Sequence, residues 1–435
     1  MPPDEVYRNG SAGLALRAAP LLLIMMGTSS IATAAGQTTL KPQEHAVVAE
    51  QRARLESIRA SGDRQAARHH AWTLFDTLAS DTAGRTWPFF EGWFSEAETF
   101  EPEASAGVMP PFTHPAKFRS PAAPGHQGVP GAPLITYVHF NASAYQHIRE
   151  HRLFDADALR GLAESGASDP EFRQARTIPA LPASAIALKT GWWPVAAHGV
   201  TALPVWDADA NDPRVEGNDY STWSRVIGVA PERRRTTATS ADLEFMGRRI
   251  TTNEVVGLDA FVRVELDDDT ARRVMQDPAA LRAAQLALGR PLQAGDYLLL
   301  VALHLATREI DDWVWATFWW HDRPDTGPFS SGRPKALPAP WNQYLMSETL
   351  DFNQPTERDG TPAIAFNPWL EARFPDAGMG SGVVSNCMAC HVRASYPPVD
   401  FASVLRGTPL ASSDPAMGAG QVRTNFLWSI PIQAQ

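Results

Sequence analysis

Apolar positions along this chain change period near residue 134. Residues 44–58 and 63–78 carry them at three- and four-residue spacing, which predicts two helices. A Pro- and Gly-rich stretch over 101–133 follows and reads as a long surface connection. From Leu134 the texture becomes β. Runs at 134–140, 186–195, 201–206 and 225–229 are short and bounded by Pro, Gly, Asn or Asp. Longer apolar runs occupy 254–266 and 297–306. Helical inserts are expected at 143–152, capped by Asn141 or Ser143, and at 269–288, broken around Asp277-Pro278. The mixture predicts an α+β fold: a mainly antiparallel, sandwich-like β core with a helical N-terminal region and helical inserts.

The clearest hairpin joins 297–306 to 313–320 through a turn at 308–312. Period two puts Trp313, Trp315, Thr317 and Trp319 on one face, and Val314, Ala316, Phe318 and Trp320 on the other. Both faces are largely apolar, so the strand is expected at the centre of a sheet, packed as core or walling a cofactor crevice. A turn centred near Ile310 sets His304 opposite Ala316 and separates His304 from His321 by on the order of 15 Å, too far to share one metal. His304 reads as a core histidine in need of a polar partner. His321 precedes Asp322 and reads either as a ring oriented by that carboxylate or as a strand-end surface residue.

The 435 residues include only two cysteines, in the run Cys387-Met388-Ala389-Cys390-His391. C-x-x-C-H is the attachment signature of c-type haem. Two thiols at i and i+3 can each add to one porphyrin vinyl group, and the adjoining His391 supplies an imidazole as proximal iron ligand. The competing readings are a redox dithiol, half of a zinc site or a disulfide. A zinc ribbon lacks its second pair, and a thioredoxin-like dithiol lacks its βαβ setting. Haem c, one per chain, is the favoured cofactor. The motif resembles that of the c-type cytochromes, which implies covalent attachment outside the cytoplasm.

The N-terminus agrees with export. Arg8 and Arg17 precede an apolar run at 18–26, and small residues follow to Ala32-Thr33-Ala34, the pattern of a signal peptide cleaved near Ala34 or Ala35. Asp4 and Glu5 make its first region less basic than usual. The run is too short to span a bilayer, and no later segment is long enough, so no membrane anchor is expected after cleavage. A periplasmic or secreted location follows. The net charge of −10 argues against nucleic acid as a partner. The 36 Pro exceed the usual share of roughly 5% and, with 14 Trp, predict a loop-rich protein with an aromatic core. The division expected is 1–34 signal peptide, 35–130 helical and Pro/Gly-rich region, 131–350 β-rich core and 351–435 haem-binding segment.

His147-Ile148-Arg149-Glu150-His151 matches H-x-x-E-H, the inverted zincin pattern, with both histidines on one helical face and Glu150 as a possible base. A third ligand is not identifiable, and an ordinary surface helix is the default; a zinc metallopeptidase stays as the weaker alternative.

For the iron's sixth position the candidates are Met417, then Met379, His321 and His304. Met388 is a spacer within the motif. In compact class I cytochromes the motif follows an N-terminal helix and a methionine loop lies several tens of residues later. Here the residues before Cys387 do not look helical and Met417 is close, so the haem is expected to dock on the β core. Met/His ligation favours electron transfer, whereas an open site permits peroxide, oxygen or nitrogen-oxide chemistry.

The stretch Ala185-Ile186-Ala187-Leu188-Lys189-Thr190-Gly191-Trp192-Trp193, the run 195–206 and Trp313-Val314-Trp315-Ala316-Thr317-Phe318 resemble a group of exported bacterial proteins of unassigned activity. The similarity covers roughly 130–395, and that body is often joined to a C-terminal C-x-x-C-H segment, which implies haem attachment and no particular reaction. Two function classes follow. One is an electron carrier serving a redox partner protein; the other is a peroxidase- or oxygenase-like haem enzyme. A third treats Trp192, Trp193 and Trp223 as stacking platforms for a polymer or glycan. Arg393 and Lys189 are candidates to pair with haem propionates, and Asn386 or Ser385 to cap the motif turn.

Overall fold

The computed structural model describes residues 42–80, 88–102, 134–165, 177–210, 223–232, 240–350, 365–371, 386–398 and 421–434. The signal peptide, Met379, Ser385 and Met417 lie outside the described residues.

Helices α1 (Pro42–Ser61) and α2 (Arg64–Ser80) stand where the spacing predicts them. Strand β1 (Phe94–Ser95) leads into helix α3 (Glu96–Phe100) through a capping box, in which the Ser95 hydroxyl accepts from Glu98 N–H and the Glu98 carboxylate accepts from Ser95 N–H. Strand β2 (Ile135–Phe140) precedes helix α4 (Ala142–Glu150), where the Asn141 side chain accepts from the Ala144 N–H and sets the cap. Helix α5 (Ala156–Ser165) and the long β3 (Ile186–Val195) follow. Next come β4 (Thr201–Val205), β5 (Arg225–Ala230), β6 (Ala241–Phe245), β7 (Arg248–Thr252), β8 (Val255–Gly257) and β9 (Arg263–Glu265). Helices α6 (Asp268–Val274) and α7 (Pro278–Leu288) break at the Asp277-Pro278 step, with Pro278 in the first helical position and Gly289 closing the end at φ 69°. The hairpin β10 (Tyr297–Thr307) and β11 (Val314–Trp320) is followed by β12 (Tyr344–Thr349). The C-terminal part holds α8 (Cys387–His391), β13 (Ser395–Tyr396), β14 (Val422–Arg423) and α9 (Ser429–Gln433).

The architecture is α+β around one antiparallel seven-stranded sheet ordered β1-β2-β3-β10-β11-β12, with β9 pairing the first residues of β10. It is less sandwich-like than expected. Among the described residues the other sheets are small: β4-β5-β8, β6-β7 and β13-β14. Within the first of these, β5 and β8 run parallel. The predicted long strand at 254–266 is two short ones in different sheets, because a 3₁₀ turn at Leu258–Ala260 puts exposed Asp259 in mid-run. The β6–β7 hairpin escaped prediction: its two-residue turn is Met246-Gly247, both at positive φ (52° and 72°), rather than Asn-Gly.

β11 lies between β10 and β12 with every residue buried. On one face, Phe318 stacks on Phe75 of α2 at a 4.1 Å centroid distance, and Trp72 meets it edge-on at 5.6 Å. Buried Glu309, in the β10–β11 turn, joins both N-terminal helices. His70 Nε2 donates to it at 3.0 Å and Gln51 Nε2 at 3.2 Å. Burial opposes ionisation of Glu309, but His70, Thr307 and Gln51 outweigh it and hold the carboxyl below its ordinary value. The nominally N-terminal region is thus part of the sheet's packing.

The hairpin register differs by one from the expectation: His304 pairs with Thr317, not Ala316. Trp313 adopts φ 63°, which removes it from the strand, so pairing begins at Thr307–Val314. A Phe318→Ala substitution, which empties a fully buried ring position, is expected to lower unfolding stability by about 3–5 kcal/mol; urea denaturation of the two proteins measures it.

Candidate functional site

The second face of the sheet carries the motif. Cross-strand register puts Ala187 and Lys189 of β3, His304 and Ala306 of β10, and Trp315 and Thr317 of β11 on one side. Helix α8 lies over this patch. Met388 and Val392 are buried with Trp313, Trp315 and Ala306 in one hydrophobic cluster, and the Trp315 ring centroid stands 4.4 Å from that of His391. Thr349 of β12 donates its hydroxyl to Met388 Sδ at 3.6 Å. Met388 therefore serves as a packing residue between the motif and the sheet.

His391 is oriented by the backbone. Its Nδ1 lies 2.8 Å from the Phe426 carbonyl and donates to it, which leaves Nε2 for another partner. The loop that presents this carbonyl is contorted: Asn425 and Phe426 both have positive φ, 49° and 69°. A bulky residue there is uncommon and needs surrounding structure to hold it. Asn425 Oδ1 provides that hold by accepting from Trp313 Nε1 at 2.9 Å and from Arg308 Nε at 3.3 Å. The β13–β14 pair and the Thr424 N–H to Ala394 carbonyl bond tie the loop to the motif. Burial keeps the imidazole neutral, lowering its pKa to about 4, with His304 and Lys189 nearby adding to the effect.

Cys387 and Cys390 sit on the same single turn as half-buried thiols that form no disulfide. Burial pushes Cys387 well up and Cys390 up to about 12, so both stay protonated near neutrality. A reactive dithiol needs the opposite shift. The Cys390 amide bonds the Asn386 carbonyl at 3.4 Å.

Around the thiols the sheet face is polar and partly open. Along β3 only Ala187 and Lys189 are half-exposed, and along β10 only Tyr297 and His304 are; all else in both strands is buried. Lys189 and His304 are direct cross-strand partners, and Ala187 is next in register. The three are the half-exposed positions of this sheet face, next to the motif. His304 Nε2 meets Glu371 Oε1 at 2.7 Å and Nδ1 meets Thr317 Oγ1 at 2.8 Å. Glu371 is placed by Asn367, a fully buried residue whose N–H also bonds the Glu371 carboxylate. The Asn367 amide donates to Thr317 Oγ1 at 2.8 Å and to the Phe318 carbonyl at 2.9 Å, and its oxygen accepts from Trp369 N–H. Burial lowers the Lys189 pKa to about 8 against the pull of Glu371 and Glu96. Burial likewise raises Glu96 to about 7 despite its bonds to Ser429 and Gln433 of α9. Glu371 carried no sequence signal at all, and Glu96 none beyond its place in the first turn of a short helix.

The other candidate residues separate. His321 Nδ1 accepts from Arg323 N–H at 2.9 Å and Nε2 donates to Asp207 at 3.2 Å, with Asp322 Oδ1 also 3.5 Å from Nδ1. With His304 fixed at both nitrogens as well, neither histidine presents a free ligand atom. His147 is buried and its Nε2 donates to the Pro179 carbonyl at 2.9 Å, while His151 falls just past the helix end and, like Glu150, is exposed. Among the described residues no group of three or more His, Cys, Asp or Glu is arranged for a metal ion, so the H-x-x-E-H pair lacks a third ligand there. Trp192, Trp193 and Trp223 are 0%, 0% and 4% exposed, which removes them as stacking platforms. Among the described residues no helix is long and apolar enough to cross a membrane. Comparison with protein families, curated proteins and solved structures finds no match to the chain.

Glu96 supplies a pH test of this region. Its folded pKa lies above the ordinary 4.5, so ionising it opposes folding and stability is lost as pH rises through that interval toward about 7. Glu96→Gln is expected to gain on wild type between pH 5 and pH 8 in urea unfolding, and an unchanged difference would contradict the assignment.

Proposed function

We propose that the protein is an exported c-type cytochrome that binds one covalent haem and passes single electrons to a redox partner protein. The observation that carries this reading is the motif turn. Two protonated thiols and an imidazole share one turn, and the Phe426 carbonyl fixes the imidazole through Nδ1 with Nε2 left over. A histidine that ligates a metal through one ring nitrogen characteristically donates the other to a carbonyl or carboxylate. The half-exposed Ala187, Lys189 and His304 beneath would supply the haem's floor.

In this reading Cys387 and Cys390 form the two thioethers, and His391 Nε2 is the proximal ligand. Bound haem would supply a one-electron iron couple. The chain's part is to orient His391, to exclude water with Trp315, Met388 and Val392, and to hold Lys189 and Arg393 where propionate carboxylates can be paired. Met417 stays the distal candidate. The N-terminal signal pattern supports a periplasmic or secreted location, which the attachment chemistry requires.

A peroxidase- or oxygenase-like enzyme is the second reading, and the oriented His304–Glu371 pair beside the motif favours it. The two differ in spectrum. After expression with a bacterial haem-ligation system, a carrier is expected to be six-coordinate and low-spin, and an enzyme to show a high-spin component that binds carbon monoxide or cyanide. On a denaturing gel stained for haem, wild type is expected to stain and a Cys387→Ala, Cys390→Ala double variant to lose the stain entirely. Met417→Ala is expected to convert low-spin to high-spin; an unchanged spectrum removes Met417 as ligand.

A further inference from the structure

We infer that Trp313 and Asn425 are positioning residues that set the reduction potential of the proposed iron centre, by holding the Phe426 carbonyl on His391 Nδ1. The inference rests on haem being attached as proposed above. Its own support is a turn that breaks the usual residue preference. Leu427 N–H bonds the Thr424 carbonyl at 3.0 Å, so Asn425 and Phe426 are the two central residues of a β-turn. Both have positive φ, 49° and 69°, the pattern of a type I′ turn, for which Asn-Gly is the unstrained pair. Asn425 obeys that preference, but a phenyl side chain stands where glycine is favoured. A residue held there carries a backbone cost and persists only where its surroundings over-determine it.

Those surroundings belong to the β10–β11 hairpin. The Asn425 amide oxygen accepts from Trp313 Nε1 at 2.9 Å and from Arg308 Nε at 3.3 Å. Phe426 is buried, with its ring 6.2 Å from that of Trp315. Trp313 is itself fully buried at φ 63°. Three left-handed residues, on segments 112 positions apart, thus converge on one atom: the carbonyl oxygen 2.8 Å from His391 Nδ1. The ends of the turn are tied separately. Thr424 N–H bonds the Ala394 carbonyl at 2.9 Å, and Thr424 Oγ1 donates to the Leu427 carbonyl at 2.9 Å. Losing the Asn425 bonds therefore frees the middle of the turn and leaves the segment docked.

A carbonyl that accepts from Nδ1 makes Nε2 a stronger donor to a metal. Stronger donation favours ferric over ferrous iron and lowers the potential, one of the levers a protein has on haem. Slackening the tether is expected to raise it. Nδ1 keeps its hydrogen in both oxidation states, so the device needs no change of protonation.

The test is the midpoint potential of the haem-loaded full chain at neutral pH, by spectroelectrochemistry. Asn425→Gly tolerates the same φ but removes the acceptor of both donors. Trp313→Phe keeps a buried ring and the same backbone demand but removes the Nε1–H. Asn425→Gly is expected to raise the preference for ferrous iron on the order of tenfold, which is about 59 mV for one electron. Trp313→Phe is expected to raise it by less, because Arg308 remains. Phe318→Leu, which loosens the opposite face of the sheet, is expected to keep the wild-type potential. Loop variants at or below the wild-type potential overturn the inference alone, as does an equal rise in Phe318→Leu. Loss of haem from both loop variants where Phe318→Leu retains it also overturns it, since the tether is then structural only. A wild type without covalent haem overturns the cofactor reading and the inference together.

Discussion

Two neighbouring strands, β10 and β11, have almost no surface left for water, and that constraint shapes the rest of the molecule. Phe318 and its neighbours are dried by α2 on one side. Trp315 and Ala306 are dried by the motif turn on the other. A polar side chain on such strands must find a partner within the protein, since an unpaired buried group costs about 1–3 kcal/mol. Thr317, His304, Asn367 and Glu371 satisfy one another for that reason, and the result is an oriented polar group in the middle of a sheet.

The C-terminal segment depends on the same hairpin. The β10–β11 turn supplies Trp313 and Arg308 to Asn425, which stabilises the left-handed turn that aims the Phe426 carbonyl at His391. A residue more than a hundred positions earlier in the chain thus fixes the tautomer of the proposed iron ligand. The described C-terminal residues 386–398 and 421–434 pack on the β core as one unit, which accounts for so short a motif helix. α8 has only the five residues Cys387–His391 and draws its support from the sheet and from the 421–434 loop rather than from its own length.

Much of this was legible in the sequence, and the misses have physical causes. Helix periodicity located α1, α2 and the α6–α7 break because each has an apolar face or a Pro to mark it. The all-apolar run of β11 announced a central strand. Its register slipped by one because nothing in Trp313 signals a left-handed backbone. The β6–β7 turn was hidden for the same reason at Met246. In the site, the thiols and His391 were legible because their spacing matches an attachment signature. Glu371 and the Phe426 carbonyl were not, since each acts only after folding brings it across the sheet. His304 was recognised as needing a partner, though its true partners lie on β11 and in the 365–371 segment.

Peptide mapping tests the central claim most directly. Protein recovered from the exported fraction of a host with an active haem-ligation system is digested, and the fragment containing Cys387, Cys390 and His391 is weighed before and after treatment with a thiol-alkylating reagent. The account expects that fragment to carry the mass of one haem and to take up no alkyl group at either cysteine. A fragment of unmodified mass that accepts two alkyl groups would contradict it.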